Sequence, residues 1–84
     1  AVISPRRVVE IALAEKASTV VLAHNHPSGV AVPSHEDVVV TQRLAVALAA
    51  VDVVLVDHLI VADDDYVSLV QSGYYRPGER TAYL

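Results

Sequence analysis

His24-Asn25-His26-Pro27-Ser28-Gly29-Val30-Ala31-Val32-Pro33-Ser34-His35-Glu36-Asp37 is the stretch that decides how this chain is read. It follows a β-branched run, residues 18–24 (Ser-Thr-Val-Val-Leu-Ala-His), which predicts a strand. Side chains alternate along a strand with period two, so His24 and His26 leave one face and Asn25 the other. Pro27 has no N–H for further pairing and Ser28-Gly29 suits a turn, so the strand ends where its histidines emerge. Pro33-Ser34 then opens a helix, with Ser34 as N-cap and Asp37 three residues on in a capping-box position. Two imidazoles and one carboxylate around an open position are the donor set of a catalytic zinc, whereas a structural zinc normally fills four positions with Cys or His. The residues themselves point to a zinc hydrolase.

Outward from this stretch, Ser4-Pro5 reads as an N-cap followed by proline at the first helical position. Val8, Val9, Ala12 and Leu13 recur at helical spacing and carry that helix to about residue 16. The helix begun at Ser34 extends to about residue 50 and is apolar almost all round from Leu44, which predicts deep burial, a partner or missing chain against it. Residues 53–62 form a second β-branched run, and both runs are expected to be central strands buried on two faces. Asp63-Asp64-Asp65 reads as a turn, residues 66–69 as a short strand or helix start, and 73–84 as an irregular tail. Alternating helices and strands predict an α/β layered domain. Its ligand loop lies at the carboxyl end of a strand and faces a helix N-terminus, where open α/β sheets bind ligands.

Eighty-four residues, 54% of them hydrophobic, make a single small domain over 1–84 with a core but little stability to spare. The chain opens on Ala-Val-Ile as though inside a strand, and the expectation is an N-terminally truncated fragment. The formal net charge is −4 and the cationic side chains are scattered, so no basic stripe tracks phosphates and direct nucleic-acid binding is not expected. Zero cysteines exclude disulfides and thiolate zinc sites and fit a cytoplasmic setting. The longest apolar run, 44–51, falls far short of the roughly 18 residues that span a bilayer, so no membrane association is expected. Scarce lysine beside abundant alanine and valine hints at a GC-rich bacterial genome.

A His-x-His pair alone is weak, so the surrounding residues must discriminate. No histidine lies four residues from either member, which removes the His-Glu-x-x-His zinc motif. The zinc deaminase pattern needs a Cys-x-x-Cys. A metallo-β-lactamase run would want an acid and a histidine where Ser28 and Gly29 stand, and a TIM-barrel hydrolase needs several times this length. What fits is His-x-His-Pro, six residues, Ser, two residues, Asp. This resembles the JAMM motif of the JAB/MPN metalloprotease family. The wider set His24-Asn25-His26-Pro27-Ser28-Gly29, Pro33-Ser34, Asp37, Thr41 and Asp57-His58 is similar to the bacterial RadC branch in particular, over nearly the whole chain.

The resemblance implies a JAB/MPN-like (cytidine deaminase-like) α/β layered domain, a mixed β-sheet flanked by helices, with N-terminal strands outside this fragment. It makes His24, His26 and Asp37 the Zn2+ ligands, with water as the fourth. It places Ser34 beside the substrate oxygen as a catalytic donor to the tetrahedral oxyanion, a role compatible with helix capping. The family also uses a general-base glutamate on an upstream strand. This chain does not contain it: Glu10 lies within the first predicted helix, where a solvated carboxylate is the ordinary expectation. In the intact protein the implied chemistry is metal-assisted hydrolysis of a peptide or isopeptide bond in an unknown peptide or protein substrate. Two alternatives stand beside it. One is a non-catalytic zinc-binding interaction module; the other is a DNA-repair-associated factor that touches nucleic acid through other domains. Self-association, or packing against an N-terminal segment, is expected of the apolar second helix.

Remaining residues carry ordinary readings next to functional ones. His58 is a hydrogen-bonded structural histidine in preference to one that donates a hydrogen bond behind a ligand or lines the site, because nothing in its spacing ties it to the ligands. His35 is a solvent-facing first-turn residue, and Asn25 a loop-holding one. Arg6-Arg7 and Arg76/Arg80 offer contacts to phosphates or an acidic partner, and the Tyr74-Tyr75-Arg76 cluster a stack for a base, though scattered arginines on an acidic domain are usually solvated surface.

Overall fold

A computed structural model describes residues 3–78. Helix α1, Pro5–Ala14, starts where Ser4 accepts a hydrogen bond from the Arg7 amide at 3.3 Å, with Pro5 in its first turn. It stops two residues before the predicted end because Lys16 turns left-handed, φ 54°. The Lys16 and Ala17 amides then close on the Leu13 and Ala12 carbonyls, a Schellman ending built without glycine. Strand β1, Thr19–Asn25, is followed by helix α2, His35–Ala49, then by β2, Val54–Ala62, and β3, Asp65–Ser68. Helix α2 ends as α1 does, with Asp52 left-handed at φ 61° and the Val53 amide returning to the Leu48 carbonyl.

The sheet runs β1-β2-β3, with β1 parallel to β2 and β3 antiparallel to it, so a mixed sheet is present as expected. The expectation of two strands buried on both faces fails: β2 is central but exposes Val54 and Val56. β1 is not buried on two faces: Val20, Leu22 and His24 turn inward while Thr19, Val21, Ala23 and Asn25 are exposed, and among the described residues β1 is an edge. Its alternation was hidden because Val21 and Ala23, on the outward side, are also apolar.

β2 is central, and its register against β1 slips by one residue at Val56. Leu55 is buried, Val56 is exposed, and from there the buried phase falls on His58, Ile60 and Ala62. A bulge re-aims the side chains that follow it. Without this one, Asp57 would share the inward phase of Leu55 and His58 would face out.

Ala12 of α1, Leu44, Ala45 and Leu48 of α2, and Val53, Leu55, Ile60, Leu69 and Tyr75 form the core. Deep burial of the apolar second helix holds for one side only: Val46 is 47% exposed, and Ala49 and Ala50 are open to solvent. Residues 73–78 carry no helix or strand, as expected, and the turn before them is held from β2. Asp57 takes hydrogen bonds from the His58 and Val70 amides and from the Ser68 hydroxyl, which fixes the turn there. Tyr75, expected with its neighbours at the surface, is a core residue whose hydroxyl donates to the Leu55 carbonyl at 2.6 Å. Residues 79–84 of the predicted tail lie outside the described residues.

Candidate metal centre

Three elements meet at the carboxyl end of β1. His24 is the next-to-last residue of that strand, and His26 follows it just past the end, where its amide still donates to the Val61 carbonyl of β2 at 2.8 Å. Pro27 and Ser28 then turn the chain, closed by the Gly29 amide on the His26 carbonyl at 3.2 Å. Gly29 has φ +81°, and a Cβ there would stand 2.9 Å from Asp63 Oδ2, so the ligand loop lies directly against the β2–β3 turn. Asp37 arrives from the third residue of α2 and is 4% exposed. Ser34 Oγ accepts from the Asp37 amide at 3.1 Å, and the Ser34 amide donates to Asp37 Oδ2 at 2.8 Å. The capping box read from the sequence is therefore complete, and it anchors a carboxylate as well as a helix.

Asp37 Oδ1 lies 3.2 Å from His24 Nδ1, and Oδ2 lies 3.1 Å from His26 Nε2. His26 is oriented from behind, its Nδ1 lying 3.2 Å from the Val30 carbonyl. A carbonyl only accepts, so Nδ1 carries the proton and a neutral ring presents a bare Nε2 to the carboxylate. His24 Nδ1 is buried and makes no hydrogen bond among the described residues despite its nearness to Asp37. Two ring nitrogens and a carboxylate at these separations need a positive charge among them, a proton or a metal ion. The donor atoms all lie within 4.8 Å of one another, and a tetrahedral zinc with bonds near 2.1 Å sets its ligands about 3.4 Å apart. The group therefore fits a divalent metal in both chemistry and spacing.

Burial works to raise the Asp37 pKa, but the Ser34 amide and hydroxyl, joined by the positive charge of His26 and His24 when those rings are protonated, outweigh it and hold the carboxyl below its ordinary value. The carboxylate form that a metal needs is thus the form the fold favours.

A family profile for the RadC-like JAB domain matches residues 1–74. The chain belongs to this family. Among its relatives are UPF0758 proteins of Shewanella woodyi, 50% identical over 70 residues, and of Cellvibrio japonicus, 51% identical over 70 residues, each match covering 83% of this chain and 31% of the relative. That of Nitrosococcus oceani is 52% identical over 71 residues, covering 84% and 32%. The chain thus spans about a third of the length of these curated relatives.

Within this RadC-like domain, the four singled-out residues His24, His26, Ser34 and Asp37 are brought together by β1, its loop and the start of α2. Glu10 is elsewhere, exposed on α1 and 3.7 Å and 3.9 Å from Arg6 and Arg7. His35 is exposed as expected, and Asn25 leaves the face of β1 opposite His24, but no hydrogen bond from its side chain holds the loop among the described residues. His58, for which sequence reasoning ranked a place at the site second to a structural role, is hydrogen-bonded to Thr41 and fully buried beside the centre, with its ring 6.0 Å from that of His24. Its signal was the Asp-His pair inside an apolar strand, but a bulge that chooses between the two faces leaves no mark on hydrophobic periodicity. Among the described residues no helix is long and apolar enough to cross a membrane.

Proposed function

We propose that this domain is a zinc-dependent hydrolase of peptide or isopeptide bonds, with His24, His26 and Asp37 as metal ligands. The observation that carries the reading is the convergence of two imidazole nitrogens on one buried carboxylate, one of them without a hydrogen bond. A zinc ion bound there would polarise a substrate carbonyl and acidify a water.

The chain's own residues bind and orient. The Val30 carbonyl holds His26 in one tautomer, and the Ser34 amide fixes the Asp37 carboxylate between the two rings. Ser34 uses a lone pair, not its proton, to cap α2. That hydroxyl proton, which helps keep the Asp37 carboxyl ionised, would turn from it to a developing oxyanion, and Ser34 is solvent-exposed, as a residue meeting substrate must be. Glu10, paired with Arg6 and Arg7 on α1, is not placed to take a proton at this centre.

A second reading, a zinc-holding interaction module without catalysis, is favoured by Val21, Val54 and Val56, which lie exposed on β1 and β2. A panel of fluorogenic peptides and lysine isopeptides, offered to the zinc-loaded full-length protein and to its Asp37→Asn variant, separates the two. Turnover in the wild type that falls to background in the variant supports the hydrolase. Equal turnover in both overturns it, and a wild type that holds zinc yet cleaves nothing supports the module.

A further inference from the structure

Thr41 Oγ1 lies 2.6 Å from two atoms at once, the Asp37 main-chain carbonyl oxygen and His58 Nδ1. A hydroxyl has a single proton to give. Between the two oxygens only Thr41 can supply one, so its proton is committed to Asp37. The contact with His58 then requires Nδ1 to be the protonated nitrogen, donating to Thr41. His58 Nε2 is left bare, and it is buried without a hydrogen-bond partner among the described residues. Thr41 and His58 are both fully inaccessible. A buried polar pair with one nitrogen unsatisfied is costly compared with an apolar pair of the same shape, so its presence calls for a role other than packing.

The place of the pair supplies one. Thr41 stands one helical turn after Asp37 on α2, and His58 stands on β2 opposite Leu22 of β1, diagonally adjacent to His24. β2 is in turn locked to the ligand strand by the parallel ladder and by the His26 amide on the Val61 carbonyl. Apolar packing of Leu44 and Leu48 holds the rest of α2 against the core, and such packing tolerates small slides along the helix axis. A hydrogen-bonded chain does not.

We infer that Thr41 and His58 are positioning residues for the metal centre. The relay from His58 Nδ1–H to Thr41, and from the Thr41 hydroxyl to the Asp37 carbonyl, clamps the helix turn that carries the Asp37 carboxylate to the strands that carry His24. The inference rests on the metal reading above. Breaking the relay leaves all three ligands in the sequence but lets their separations drift, which weakens metal binding by about 10- to 100-fold, the usual effect of losing an outer partner of a ligand.

The test compares zinc affinity, by competition with a chromophoric chelator, and the absorption spectrum of the cobalt(II)-substituted protein, for the full chain and four variants. Thr41→Val and His58→Phe each break the relay while keeping shape or ring. Thr41→Ser keeps the hydroxyl, and the double variant Thr41→Val/His58→Phe removes both ends. The expected result is a loss of about 10-fold or more in zinc affinity, with an altered cobalt spectrum, in each single relay-breaking variant. The double variant is no weaker than the worse single. Thr41→Ser stays within about 2-fold of wild type, since it preserves the hydroxyl. Wild-type affinity and spectrum in both single variants overturn the inference while leaving the metal site standing, and so does a Thr41→Ser as weak as Thr41→Val. A wild type that binds no zinc overturns the metal reading and this inference with it. Should His58→Phe fail to fold, Thr41→Val, which conserves volume, reads the same relay from its other end.

Discussion

Ser34 is asked to do two things, and replacing it by alanine and by glycine pulls them apart. Its hydroxyl accepts the Asp37 amide at 3.1 Å and thereby caps a helix whose buried face supplies Leu44 and Leu48 to the core. Removing an N-cap serine in favour of alanine costs about 1 kcal/mol, whereas glycine at the same place costs only a few tenths. Ser34 has φ −86° and ψ 165°, which either residue adopts without strain. With a urea dependence of about 1 kcal/mol per molar for a domain of this size, the midpoint should fall by roughly 1 M in Ser34→Ala and by about 0.3 M in Ser34→Gly. Zinc content should be unchanged in both, because the bond that anchors Asp37 Oδ2 comes from the backbone amide of residue 34 and survives either change. Hydrolysis should fall equally in both, by roughly 100-fold or more, because neither variant has a proton to give the oxyanion. Urea unfolding followed by far-UV circular dichroism gives the first pair of numbers, and turnover of a substrate from the peptide panel gives the second. Activity that tracks stability across the two variants, or that stays at the wild-type level in Ser34→Gly, would reduce Ser34 to a helix cap.

Gly29→Ala should destabilise by about 1–2 kcal/mol, since φ is +81° and the new methyl would meet Asp63 Oδ2 at 2.9 Å; an unchanged melting temperature would show that the ligand loop does not press on the β2–β3 turn. Metal-free protein should lose stability on acidification in two windows. Burial, opposed by Asp37, lowers the His58 pKa below its ordinary 6.5, so the unfolded chain binds the proton more readily; that contribution is complete above pH 6.5 and is lost as pH falls below it. The Asp37 pKa is also lowered, against the effect of burial, by the Ser34 bonds and the imidazoles, so its contribution holds above about 3.8 and is lost beneath that. Urea midpoints for chelator-treated protein between pH 8 and pH 5 that stay level or rise on acidification would contradict the His58 assignment.

Much of the site could be read from the chain because its signals are local. Pro27 ends a strand, Ser34 and Asp37 form a capping box, and the spacing between them sets the loop length, all within a few residues of one another. What could not be read depends on contacts distant in sequence or on backbone geometry without a residue signature. Lys16, Asp52 and Asp63 adopt left-handed backbone where glycine would have announced it. The slip at Val56 turns His58 rather than Asp57 toward α2, and no propensity scale distinguishes the two phases. Tyr75 looked like part of a surface cluster because its acceptor, the Leu55 carbonyl, is 20 residues away. The apolar composition of β1 concealed its exposed face for the opposite reason: hydrophobic residues on both sides leave no alternation to detect.

The central claim is that His24, His26 and Asp37 hold a metal, and metal stoichiometry tests it most directly. The full chain and its His26→Ala variant are dialysed against zinc at neutral pH, freed of excess ion and assayed by elemental analysis. The account predicts about one zinc per chain in the wild type and a large loss in the variant, because the mutation removes one of the three donors grouped among the described residues. No zinc in the wild type, or equal zinc in both, would contradict it.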